Sequence, residues 1–171
     1  TLRRCLLTLA IATSLAACKP AATTEATAAI AATPKSAQAI ASQAGEIKVT
    51  EIARGLEHPW SMAFLPDGSM LVTERAGRLR RVATDGSVSA PLTGVPIVFA
   101  DGQGGLLDVV LSPNFADDQR IYLSYAEPGE NGTAGTAVAY ATLGASGLTD
   151  VKVIYQQQPK LEGDGHFGSR L

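Results

Sequence analysis

Cysteine is scarce in this chain, and its placement matters more than its number. Both cysteines, Cys5 and Cys18, precede residue 19, so the rest of the sequence has no thiol for a disulfide or a thiolate metal site. A basic excess is missing as well. Lys and Arg number 14 against 16 Asp and Glu, and loss of a leader holding Arg3 and Arg4 leaves 12 against 16. Such a surface argues against nucleic acid as a partner. No apolar run approaches the roughly 20 residues that a spanning helix needs. Charged residues make up only 18%, diluted by an alanine-rich N-terminal stretch. The chain also lacks an initiator methionine, and it stops at Leu171 just as an apolar strand begins. Both features are expected of a fragment with further units on its C-terminal side.

What the N-terminus does contain is an export signal: Arg3-Arg4, an apolar run from Cys5 into Ala17, and small residues at its end. Leu15-Ala16-Ala17-Cys18 resembles a bacterial lipobox, in which cleavage falls just before the cysteine and its thiol is acylated. Residues 1–17 are therefore expected to be a lipoprotein-type signal peptide and Cys18 the lipidated first residue of the mature protein. An ordinary secretory signal that happens to contain a cysteine is the plainer alternative. Residues 19–45 are mostly Ala, Thr, Ser, Gln and Pro. They cannot bury enough apolar surface to offset the entropy of ordering them, and they read as a tether from a membrane to a periplasm-facing domain. Lys19 is not the acidic residue associated with inner-membrane retention in enterobacteria, which favours the outer membrane.

From residue 46 onward the texture changes to short apolar runs separated by turns. Strands are expected at 47–53, 60–65, 70–74, 79–83, 106–111, 121–125, 136–143 and 151–155. Between them lie turn residues such as Pro66-Asp67-Gly68, Ala76-Gly77, Asp85-Gly86 and Pro113-Asn114. Short strands at even spacing with no helical period indicate an all-β sandwich, barrel or propeller. A repeat decides among these. Ala63-Phe64-Leu65-Pro66-Asp67 matches Val110-Leu111-Ser112-Pro113-Asn114, with the prolines 47 positions apart. A period of about 40–50 residues with four strands per unit is that of β-propeller blades. The connections entering successive blades gather on one face, so Gln103 and His166 are expected to converge despite their separation in sequence.

Four elements, in order, carry a family resemblance: Gly55-Leu56-Glu57-His58-Pro59-Trp60; Leu71-Val72-Thr73-Glu74-Arg75; Asp101-Gly102-Gln103-Gly104-Gly105-Leu106-Leu107-Asp108; and His166-Phe167-Gly168-Ser169-Arg170-Leu171. With them the chain from about residue 55 to 171 is similar to the glucose/sorbosone dehydrogenase family, soluble quinoproteins that include aldose sugar dehydrogenases. The resemblance implies a six-bladed propeller, of which about the first two blades would lie within residues 46–171. It implies pyrroloquinoline quinone (PQQ) and calcium as cofactors, with most of their ligands beyond Leu171. It implies oxidation of aldose sugars at the anomeric carbon to lactones, with electrons passed to a redox acceptor. The family's catalytic histidine maps onto His166 as general base, and its substrate-side glutamine onto Gln103. In the glucose dehydrogenase branch an aspartate precedes the histidine. Here Gly165 stands at that position, which points to the broader aldose branch.

The residue types suit that chemistry. Oxidation of a hemiacetal needs the C1 hydroxyl proton removed as hydride leaves, and a histidine of pKa about 6.5 takes a proton near neutral pH. Glutamine offers both a donor and an acceptor to a hydroxyl or quinone oxygen. Gly102, Gly104 and Gly105 are expected to let the backbone turn tightly beneath a flat ring system. Structural readings stand beside these: His166 as a surface or core histidine, and Gln103 as a plain loop residue. His58 before Pro59-Trp60 reads as blade packing, partnering a buried indole. Asp108 is expected to satisfy backbone donors within its blade, and Arg170 to pair with an acid of a neighbouring blade. Asn114, Asp117 and Asp118 lack the alternating oxygens of a calcium loop and read as a turn, so no metal ligand is assigned in this chain. A propeller binding module without cofactor and a calcium-dependent propeller lactonase are the rival functions, because a fold does not fix an activity.

Overall fold

The computed structural model describes residues 38–171. The residues read as a signal peptide, Cys18 and most of those read as a linker lie outside the described residues. The strands are β1 (Gln38–Ser42), β2 (Gly45–Val49), β3 (Pro59–Phe64), β4 (Met70–Glu74), β5 (Arg78–Val82), β6 (Leu106–Leu111), β7 (Arg120–Pro128), β8 (Ala134–Leu143) and β9 (Leu148–Gln156), with one helical turn, α1 (Phe115–Asp118), between β6 and β7. They form a β1–β2 hairpin, a three-stranded antiparallel sheet β3-β4-β5 and a four-stranded antiparallel sheet β6-β7-β8-β9. The two larger sheets are successive blades of a β-propeller, with β3 and β4 of the first packed on β6 of the second.

The strand expected at 47–53 is shorter than its composition suggests. Pairing ends at Val49, and its partner β1 lies within the stretch read as linker. Beyond Val49 the chain crosses the first sheet instead of extending the ladder: Ala53 and Leu56 pack against Val72, Val82 and Val88. Burial on that face competes successfully with further pairing to an exposed hairpin.

Local turn chemistry shapes the first blade. Asp67-Gly68-Ser69 and Asp85-Gly86-Ser87 are built alike. In each, the carboxylate accepts the serine N–H at 2.9 Å and its hydroxyl at 2.6 Å. These donors, the hydroxyl foremost, hold both carboxyls below the usual carboxylate range. Residues 88–92 run irregularly along the outer edge of β5, with Ser89 N–H donating to Arg81 O and Leu92 N–H to Leu79 O. In the second blade the tight turn is replaced by α1. Asp118 accepts the Ser112 hydroxyl and the Arg120 N–H, and Gln119 closes the turn at φ 49°. The expectation of a turn at 114–118 thus becomes one turn of helix.

The repeat read from Pro66 and Pro113 extends into the backbone. The inner strand of each sheet carries a register shift, between Pro59 and Met62 in β3 and between Leu106 and Val109 in β6. These are equivalent positions 47 residues apart. Likewise Arg75 N–H donates to His58 O and Ala126 N–H to Gly105 O, closing the same end of each inner hairpin. Bulges re-aim the residues beside them, and here they lie next to the connections that form the cavity described below.

Between the sheets, Leu71, Leu79, Leu106, Ile121, Leu123, Ala137, Ala139 and Ala141 are fully buried. Alternation along β8 places its alanines inward and Val138, Tyr140 and Thr142 on the other face. The other face of β3 presents Trp60, Met62 and Phe64, 50%, 54% and 64% exposed. Trp60 is therefore not the buried indole expected, because it lies with Met62 and Phe64 on the exposed face of β3.

Tyr125 is buried between the sheets, and burial pushes its phenol up to about 12, assisted by the Glu127 carboxylate. The folded value lies above the unfolded value of about 10. The stability contributed by a neutral Tyr125 is therefore complete below about pH 10 and is lost as pH rises from there toward 12. In an alkaline titration followed by phenolate absorbance, Tyr125→Phe is expected to remove a late-titrating phenol. Loss of an early one instead would contradict the burial.

Candidate active site

The connections at one end of the sheets enclose a cavity of 590 Å³ lined by His58, Trp60, Arg75, Gly102, Gln103, His166, Phe167 and Gly168. Its walls come from the residues entering β3, those leaving β4, the loop entering β6 and the segment after β9. Gln103 and His166 meet there: the His166 N–H donates to Gln103 Oε1 at 2.9 Å across 63 residues of sequence. Gln103 N–H in turn donates to Asp164 O at 2.7 Å.

The triplet after Val72 builds one wall, each residue through a different bond. Thr73, fully buried, donates its hydroxyl to Leu107 O at 2.6 Å and ties the first blade to the second. Glu74, also fully buried, accepts Glu57 N–H at 2.6 Å and Arg78 Nε–H at 2.5 Å, fixing the approach to His58. Arg75 extends its guanidinium to Gly102 O, while its backbone carbonyl accepts Leu106 N–H at 3.1 Å. A charged donor on a loop carbonyl is among the stronger hydrogen bonds. Of the residues that this triplet holds, Gly102 lines the cavity together with Arg75, and the others flank it.

Backbone conformation marks the same place. Among the described residues six non-glycine positions have positive φ, and two of them are the cavity histidines, His58 at 47° and His166 at 63°. Such conformations persist where the surroundings over-determine them, and they cluster at functional sites. Gly102 and Gly105 turn the backbone through positive φ and bring other parts of the chain close. A Cβ at Gly105, φ 142°, would lie 2.1 Å from Arg75 O, and one at Gly102, φ 49°, would lie 2.4 Å from the Asp164 carboxyl. At both positions a side chain would meet the protein's own atoms.

His58 lines the cavity and is exposed, so it does not pack within a blade as the sequence suggested. Asp108 does satisfy a backbone donor in its own blade, Val109 N–H at 3.0 Å. It also accepts Ser61 Oγ–H at 2.5 Å from the first blade and Leu171 N–H at 2.8 Å. Arg170 is exposed and enters no ion pair among the described residues. Arg75 carried no assigned role in the sequence reading, and His58 only a packing one. The signal that reveals them is their position, immediately outside strands that end at the same face as Gln103.

Two consecutive blades, with histidines, an arginine and a glutamine gathered where their inner strands begin, form part of a propeller with a cavity at one end of its sheets. The family described as glucose/sorbosone dehydrogenase matches residues 56–171. Aldose sugar dehydrogenase YliI of Escherichia coli is 52% identical over 128 residues, 73% of this chain and 34% of that protein. The crystal structure of the soluble aldose sugar dehydrogenase of Escherichia coli in its apo form superposes with a TM-score of 0.67 at 52% identity, covering 70% of this chain and 35% of that one. The PQQ-bound aldose sugar dehydrogenase of Streptomyces coelicolor superposes at 0.56 with 25% identity, over 77% and 36%. The chain belongs to the glucose/sorbosone dehydrogenase family, and it spans about a third of the length of the relatives it matches.

The cavity's donor set suits an anionic, flat quinone: Arg75 and Gln103 supply N–H groups, Trp60 an aromatic face and His58 and His166 ring nitrogens. Calcium is not matched in the same way, since no three acidic, histidine or cysteine side chains converge among the described residues. No step is assigned to calcium.

Proposed function

We propose that the full-length protein oxidises aldose sugars at the anomeric carbon to lactones with PQQ as cofactor. The observation that carries this reading is the meeting of His166 and Gln103 in a cavity that opens where two blades of a sugar-dehydrogenase propeller begin. The quinone supplies the hydride acceptor. The protein supplies the base: an imidazole nitrogen of His166 takes the C1 hydroxyl proton, so that charge does not build up on the sugar oxygen as hydride departs. Arg75, already fixed on Gly102 O, and the Trp60 ring would bear on the cofactor. Gly165 adds no side chain beside His166, and the Asp164 carboxyl lies against Gly102 instead, which favours the broader aldose range over tight glucose recognition. The test is reconstitution of the full-length protein with PQQ, followed by measurement of lactone formation from a panel of aldoses with an artificial electron acceptor. Absence of quinone-dependent oxidation of every aldose would sink the reading.

The same proposal places the enzyme in the cell envelope, facing the periplasm and held at the outer membrane through lipid on Cys18. Leu15-Ala16-Ala17-Cys18 followed by a polar stretch supports this. Several acyl chains anchor stably where one does so only marginally. Cys18→Ser is expected to move the protein to the soluble fraction or to block processing. An unmodified Cys18 in the mature protein, seen by mass spectrometry, would end the idea.

A further inference from the structure

The segment that carries His166 is attached to the second blade almost residue by residue. Phe167 buries its ring against Leu107, Ala126 and Ala134, 6.1 Å from the Phe99 ring, and its carbonyl accepts the Thr136 hydroxyl at 2.7 Å. The Ser169 and Ser124 hydroxyls lie 2.9 Å apart, and Leu171 N–H donates to Asp108. The residues held in this way, Phe167, Ser169 and Leu171, all follow His166. On the other side, Glu162, Gly163 and Asp164 are exposed, and Gly163 has open space around it. Among the described residues, the one side chain that holds the segment at His166 itself is Gln103.

Two bonds of opposite sense join the loops there. Gln103 N–H donates to Asp164 O, and His166 N–H donates to the Gln103 side chain. Because a backbone N–H can only donate, the atom that meets it is the amide oxygen, which leaves the NH₂ group for other partners. His166 sits at φ 63°, a region that disfavours an L-residue unless it is held from outside. The imidazole is aimed by that backbone, so whatever fixes the His166 amide also fixes the direction of the ring.

We infer that Gln103 is a positioning residue for His166, working through its side-chain oxygen as the acceptor of the His166 amide and not chiefly as a donor to the sugar. The catalytic half of this inference rests on the reading of His166 as the proton acceptor; the structural half does not. Two variants of the full-length protein separate the possibilities. Gln103→Met keeps the shape and removes the acceptor, whereas Gln103→Glu keeps an acceptor at the same atom and removes the donor. Residue-resolved amide exchange of the quinone-free protein is expected to show His166 exchanging about fivefold faster or more in the Met variant, with protection restored in the Glu variant. In the quinone-loaded protein the Met variant is expected to lose kcat with a smaller change in KM, and Glu to recover much of that loss. An unprotected His166 amide in the wild-type protein, or one unaffected by Met, overturns the inference whatever the activity. A rise in KM with kcat intact in both variants also overturns it and returns Gln103 to direct sugar contact. Acceptor-dependent protection in a protein that oxidises no sugar would leave the clamp standing and remove only the function proposed above.

Discussion

His166→Ala in the full-length, quinone-loaded protein is expected to lower kcat for aldose oxidation by about 10²–10⁴, with a far smaller change in KM. The magnitude is that of a general base removed from a step in which a proton must leave an alcohol at neutral pH. The structure makes the variant a clean one. His166 is bound to the protein through its backbone N–H, and its imidazole enters no hydrogen bond among the described residues. Truncation at Cβ therefore removes the base without freeing the loop, and the thermal midpoint is expected to stay where it is. Alanine is also less costly than a bulky residue at φ 63°, where a β-branched side chain would crowd the backbone. Turnover at the wild-type rate would remove the assignment of His166 as base and would leave the cavity's other histidine, His58, as the group to test next.

The contrast between what local sequence encodes and what packing decides runs through this molecule. Strands 70–74 and 106–111 are legible to the residue, because each is a short apolar run bounded by turn residues with a defined conformational role. The repeat is legible because each blade needs the same hairpin turn at the same place, and it carries the convergence of Gln103 with His166 along with it. Other features are set by contacts distant in sequence. Nothing in residues 50–56 says that the chain abandons β2 to cover Val72, Val82 and Val88; the exposed hairpin and the waiting face decide it. The hydropathy of Trp60 suggests burial, yet the face on which β3 places it decides its exposure. The glycines around Gln103 are visible as a run, but not whose atoms fill the space they leave. Arg75 is visible within a motif, yet its reach to Gly102 O follows only from the two loops lying side by side.

Asp108→Ala is expected to be the most destabilising single change in the described part of the molecule. The carboxylate is 2% exposed and serves three donors from three parts of the chain: Ser61 Oγ–H and Val109 N–H on Oδ1, and Leu171 N–H on Oδ2. A buried donor left without a partner costs about 1–3 kcal/mol. Three such losses bound the cost at about 3–9 kcal/mol, with the N–H of the exposed Leu171 keeping it in the lower half, to be set against a whole-domain stability of about 5–15 kcal/mol. Asp108→Asn divides the effect. Its amide oxygen still serves Ser61 and Val109, while its NH₂ faces the Leu171 N–H, donor against donor, so the expected cost is that of one lost bond and a repulsion. The Asn variant should also loosen the segment after His166, because the Leu171 N–H bond is one of the points at which the second blade holds it. Urea unfolding of the full-length protein checks both, with Asp117→Ala as the control, since Asp117 is exposed on α1 and its carboxylate enters no hydrogen bond among the described residues. In the expected order of midpoints Asp108→Ala is lowest, Asp108→Asn is intermediate and Asp117→Ala is level with the wild type. If Asp108→Ala shifts the midpoint no more than the control does, the three-way junction is not what joins the first blade, the second blade and the segment that follows them.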